Sequence, residues 1–176
     1  DYIGDWRLAS SVTIIDPYMS ASMPPKLTAA TGMDALSHVI GVLTSFNSSP
    51  LVDGLIFEAI RLISGNLRKA TFNGDDIQAR YNMAIAATIG GIVINGGCSI
   101  EHALAHTIGA RYHVPHGQTC ALTLPYAMVF NLPVVQNKFA SVARAMGEPV
   151  EGMTEYQAAV KAIEAVTALS KDVGMS

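Results

Sequence analysis

The chain has 176 residues, half of them hydrophobic and 14% charged, with a formal net charge of −3. At roughly 150 residues per domain this is about one domain, too apolar to be intrinsically disordered. With 11 Lys+Arg against 14 Asp+Glu and no basic run interleaved with aromatics, the charge pattern excludes a binder of nucleic acid or of an anionic membrane surface.

The first predicted element is a short strand at Ser11–Ile15, β-branched and ended by Asp16-Pro17. A lone strand needs a partner edge, so this one is expected to pair with a sheet outside the chain. After Pro24-Pro25 the pattern turns helical. Leu36, Val39, Ile40 and Leu43 recur at helical spacing within Asp34–Ser45. Ser49-Pro50 reads as an N-cap followed by proline at the first helical position, opening a helix that ends near Asn73-Gly74. Asp75 or Asp76 opens a third helix to about Ile94, and Ser99 is placed to cap a fourth through about Arg111. Pro125 is expected to interrupt or kink the next segment. Val134–Met146 forms a helix closed by Gly147, and the capping box Thr154-Glu-Tyr-Gln157 starts a last helix running to Gly174.

Two uncharged stretches, Asn82–Ile100 and Gly117–Asn137, contain glycines, prolines and polar residues and read as buried core helices rather than membrane spans. Two cysteines, Cys98 and Cys120, are too few for a disulfide scaffold and fit a reducing, cytoplasmic setting. Asp1–Arg7 has neither the basic nor the apolar region of a secretory leader.

Four of the five histidines, His102, His106, His113 and His116, fall within fifteen residues. Asp34 and His38 are spaced i,i+4, which puts them on one helix face, and His102 and His106 repeat that spacing. His116 follows Pro115 in a loop that can return toward the same point. An aspartate with several imidazoles is a ligand set for a first-row transition metal. Three neutral imidazoles and one carboxylate leave a divalent site at net +1, a charge suited to stabilising an oxygen anion. Rival readings exist. Ala103 stands where a metalloprotease H-E-x-x-H would carry its glutamate, which removes that class. Cys98, His102, His116 and Cys120 have the residue types of a structural Cys2His2 zinc site, but that set gives Asp34 and His38 no role. Gly90-Gly91 and Gly96-Gly97 lack the Lys-Ser/Thr of a phosphate loop and read as helix-packing or helix-end glycines.

Thr28-Ala-Ala-Thr-Gly-Met-Asp-Ala-Leu-Ser-His38, Glu101-His-Ala-Leu-Ala-His-Thr-Ile-Gly109 and Val114-Pro-His-Gly117 together resemble the iron-containing (group III) alcohol dehydrogenases. Asp16-Pro17, Ser22-Met-Pro-Pro25, Asn66-Leu67, Ala79-Arg80, Leu124-Pro125 and Phe130-Asn131 extend the resemblance from about Val12 to Gly174. It implies a mainly α fold, the dehydroquinate synthase-like helical bundle of that family's C-terminal domain, with one short N-terminal strand. Residues 1–23 would be the strand and linker of an absent N-terminal NAD(P)-binding α/β domain, and 24–176 a helical metal-binding domain truncated at its C-terminus.

The resemblance further implies Asp34, His38, His102 and His116 as metal ligands for Fe2+, with Zn2+ as the other candidate ion. It implies His106 beside the nicotinamide of NAD or NADP as a catalytic proton relay, and assigns His113 no function. The expected activity is oxidation of a small alcohol or reduction of an aldehyde by a cytoplasmic homo-oligomer, a dimer. Two alternatives stay open: a non-catalytic metal-binding helical fragment, and a zinc polyol dehydrogenase of the glycerol type. The sequence departs from the family at Val39 and Gly41, where Ala and Glu are usual, at Thr107 for Pro, and at Cys120 for Asn.

Overall fold

The starts of the helices follow from local chemistry. In the computed structural model, which describes residues 10–46, 48–94, 97 and 99–175, seven α-helices form among the described residues, preceded by a short 3-10 helix at Pro17–Ser20. They are α1 (Pro25–Leu43), α2 (Pro50–Phe72), α3 (Ile77–Val93), α4 (Ile100–Tyr112), α5 (His116–Asn131), α6 (Gln136–Ala145) and α7 (Glu155–Asp172). Ser49 Oγ accepts from the Val52 amide at 3.4 Å, and Asp76 Oδ1 accepts from the Ala79 amide at 2.9 Å. Both satisfy donors that a helix N-terminus otherwise leaves open. The capping box forms reciprocally: Thr154 Oγ1 accepts from the Gln157 amide at 3.2 Å and Gln157 Oε1 from the Thr154 amide at 2.9 Å. Gly147, with φ 83°, ends the α6 segment in a left-handed turn that costs glycine little.

Four expectations are corrected. Ser11–Ile15 is not a strand: no described segment pairs with it, and Val12 and Ile14 are exposed. A strand without a neighbour leaves its amides and carbonyls to water, so β-branched composition alone does not make one. Ser99 occupies the N-cap position of α4 but its hydroxyl does not cap; it donates to Glu101 Oε2 instead. Of the interruption or kink expected at Pro125, the interruption does not occur: α5 continues for six further residues to Asn131. The helix expected at Val134 begins at Gln136, and Val134 is exposed. The two uncharged stretches fall mainly on α3 and α5, and no helix among the described residues is long and apolar enough to cross a membrane.

Packing centres on α1, which contacts α2, α3, α4 and α5, while α6 and α7 pair with each other and against α2, and α7 also reaches α5. The largest fully buried side chains include Met33, Leu36, Ile40 and Leu43 of α1, Ile56, Ile60, Ile63 and Leu67 of α2, and Leu124, Phe139 and Leu169. Each stabilises the core by about 1.5–3 kcal/mol relative to exposure. Helices α1 and α2 approach closely at Gly32, where an added Cβ would meet Leu67 Cδ1 at 2.2 Å. Arg80 of α3 is buried and donates to the Thr28 hydroxyl at 2.8 Å and to the Met23 and Gly74 carbonyls. This clasp ties the start of α1 to α3 through neutral oxygen acceptors.

Candidate metal centre

Three helices bring the chemistry together. Asp34 and His38 lie one turn apart on α1; His102 is in the first turn of α4; His116 opens α5, with Cys120 one turn further on. Gly117 sets the spacing. A Cβ there would stand 2.4 Å from the Ala30 carbonyl oxygen, a backbone atom that cannot swing aside. Only glycine lets the first turn of α5 lie against α1, and that approach carries His116 to Asp34.

Asp34 Oδ1 is the hub. His116 Nε2 lies 3.4 Å from it, His102 Nε2 3.5 Å and His38 Nε2 3.8 Å. This oxygen is buried, yet none of the three nitrogens reaches it with hydrogen-bond geometry. A buried carboxylate oxygen ringed by imidazoles and left without a hydrogen bond is the surrounding a cation fills. The donor set agrees: one ligand atom each from Asp34, His102, His116 and Cys120 lie within 4.8 Å of one another. His38 stands just outside that tightest group, its ring stacked on His102 at 4.6 Å between centroids. Residues and spacing therefore fit a divalent transition metal.

Burial and the neighbouring charges act on these groups in opposite directions. Burial works against the charge on Asp34, but the His102 imidazole beside it, helped by His38, Cys120 and His116, holds the carboxyl below its ordinary value. Burial opposes a proton on His102 too, but Asp34, Cys120 and Glu101 outweigh it and push this imidazole up to about 12. For His38 burial prevails over the attraction of Asp34, and its pKa falls.

Glu101 is the residue that sequence reasoning missed. It is 1% exposed, and its Oε1 lies 3.2 Å from His102 Nδ1. With the hydrogen on Nδ1, that bond aims Nε2 at Asp34, the arrangement by which carboxylates orient metal-binding imidazoles. Space for Glu101 comes from Gly41, where an added Cβ would stand 2.4 Å from Glu101 Oε1. The acid absent from position 41 is matched by one reaching in from α4. The pairing of an acid beside His102 with a glycine on α1 is a signal, but only the fold reveals that the two positions meet.

The remaining predicted residues separate. His106 is exposed one turn beyond His102, its ring 5.0 Å from that of His116 and 6.1 Å from that of His102. His113 is exposed and ends α4 in a left-handed conformation at φ 56°, a backbone position rather than part of the cluster. Cys98 lies outside the described residues, so the Cys2His2 alternative reduces here to its His102, His116 and Cys120 members. Gly90 does serve packing, its notional Cβ being 3.6 Å from His38 Cβ; Gly96 is also outside the described residues.

Helical architecture and an Asp/His cluster carried on α1, α4 and α5 define a class of helical domain with a candidate metal centre. The profile of the Fe-containing alcohol dehydrogenase family, C-terminal, matches residues 28–176, and the chain belongs to that family. It is 43% identical over 174 residues to the 1,3-propanediol dehydrogenase of Klebsiella pneumoniae, covering 98% of this chain and 45% of the relative. It is 40% identical over 165 residues to the lactaldehyde reductase of Escherichia coli strain K12, covering 93% of this chain and 43% of the relative. The crystal structure of a 1,3-propanediol oxidoreductase superposes with a TM-score of 0.95 at 42% identity, over 97% of this chain and 45% of that one. The chain spans under half the length of these relatives.

Proposed function

We propose that this chain is the metal-binding helical part of an NAD(P)-linked, metal-dependent alcohol dehydrogenase or aldehyde reductase. In this reading residues 24–176 hold the metal, and residues 1–23 lead from a nucleotide-binding α/β domain. The observation that carries it is the buried Asp34 Oδ1, lacking a hydrogen bond and surrounded by His38, His102 and His116. Relatives named for 1,3-propanediol and lactaldehyde support a small alcohol or aldehyde as the substrate class.

Asp34, His38, His102 and His116 would hold the ion, Fe2+ or Zn2+. A divalent ion bound there supplies Lewis acidity, lowering the pKa of an alcohol or polarising a carbonyl. Asp34 contributes the negative charge that retains the ion, and Glu101 keeps the His102 ring turned toward it. His116 is 43% exposed, so the cluster opens to the surface, where a small substrate can approach. His106 stands on that same open side, close enough to His116 to take a proton from the substrate region and pass it to water.

Asp34→Ala is expected to abolish metal retention. Metal analysis after dialysis should find about one equivalent in the parent chain and none in the variant; full metal content in the variant would overturn the assignment.

A further inference from the structure

Cys120 is a fifth donor at this centre, and the proposed function gives it no task. It is completely buried one turn after His116 on the same face of α5. Its Sγ lies 3.5 Å from His116 Nε2 and 3.9 Å from His102 Nε2. Both nitrogens are those that face Asp34. A buried thiol kept only for packing behaves as a small hydrophobe and needs no polar neighbours; this one is placed among the imidazoles.

The separations have the size a coordination shell requires. Around a tetrahedral zinc-like ion with bonds of about 2.0–2.3 Å, nitrogen and oxygen donors stand about 3.3 Å apart and sulfur stands about 3.6 Å from nitrogen. Here the Asp34 to His102 and His116 separations are 3.5 and 3.4 Å, and the Cys120 to His102 and His116 separations are 3.9 and 3.5 Å. Four of the six edges joining Asp34, His102, His116 and Cys120 thus approach coordination lengths, with His38 beside them as the other donor.

We infer that Cys120 is a direct ligand of the metal, which makes the centre a mixed Asp/His/Cys site favouring zinc-like ions over iron. The inference rests on the metal-binding reading above and deepens it. Thiolate is a soft ligand, and its presence shifts selection from Fe2+ toward Zn2+ and Co2+. Charge changes too. A carboxylate and a thiolate cancel a divalent ion, so the centre is neutral rather than +1 and pulls less strongly on a substrate oxygen. The thiol proton leaves to solvent as the ion binds, without any change of oxidation state.

The test is titration of the purified, metal-free chain with Co2+, followed by absorption. Direct ligation predicts a sulfur-to-cobalt charge-transfer band in the near ultraviolet together with the visible bands of near-tetrahedral cobalt. The ultraviolet band should vanish in Cys120→Ala while the visible bands remain, and it should persist in Cys98→Ala. In zinc-against-iron competition, the preference for zinc should fall in Cys120→Ala. Visible bands without the ultraviolet band in the parent chain overturn the Cys120 inference and leave the metal site standing. A band that survives Cys120→Ala overturns it as well. Failure to bind Co2+ at all overturns both readings.

Discussion

Helices α1 and α4 both carry residues of the centre, but they are held in place by different forces. Of the 19 residues of α1, 13 are buried, among them Met33, Leu36, Ile40 and Leu43, and it is packed by four other helices. Of the 13 residues of α4, three are buried: Glu101, His102 and Ala105. The apolar core positions Asp34 and His38 whether or not a cation is present. His102 instead sits on a helix whose buried side chains are mostly those of the site itself, fastened by the Glu101 contact and by the Thr123 hydroxyl, which donates to the Glu101 carbonyl at 3.1 Å. A site built this way has one rigid wall and one wall that its own polar residues help to hold.

The contrast can be broken most directly by amide hydrogen exchange. With Zn2+ held at roughly 100 times its Kd, exchange through openings that release the ion should slow by up to about 100-fold. Amides of α4 should gain this protection and those of α1 should change much less; equal protection of both helices without metal would remove the distinction. Gly117→Ala attacks the contact that joins α5 to the rigid wall. Overpacking against the Ala30 carbonyl should cost about 1–3 kcal/mol, read from chemical denaturation, and weaken metal retention by displacing His116.

Glu101→Gln sharpens the other wall. It keeps the side-chain shape but weakens the bond orienting His102, and metal affinity should fall about 10–100-fold in a competition titration. An unchanged affinity would reduce Glu101 to a packing residue. The smallest effect is expected at the far end of α4. His113 adopts a left-handed backbone, so His113→Gly should raise stability by up to about 1 kcal/mol in thermal or denaturant unfolding and leave metal binding unchanged.

Much of the fold is legible because helix signals are local. Ser49-Pro50, Asp76, the Thr154–Gln157 box and Gly147 act on backbone groups within a few residues, so their consequences can be read without knowing the partners. The strand expected at Ser11–Ile15 fails for the opposite reason, since strand pairing is non-local and composition cannot provide the second edge. Ser99 fails more subtly. Its hydroxyl has a local cap available, but Glu101, buried by the packing of α4, competes for it.

By itself the sequence determined the helix-forming segments, the i,i+4 pairing of Asp34 with His38, and the family to which this spacing belongs. Periodicity and ligand chemistry are properties of residue types and intervals. Only the tertiary structure decided that Gly41 makes room for Glu101, that Gly117 draws His116 onto Asp34, and that Cys120 stands among the imidazole nitrogens facing Asp34 while His113 does not. Those are facts of approach between helices, set by which backbone surfaces can touch, and no interval along the chain encodes them. The histidine cluster that opened the question thus divides into residues facing one buried oxygen, one exposed neighbour, and one helix terminus.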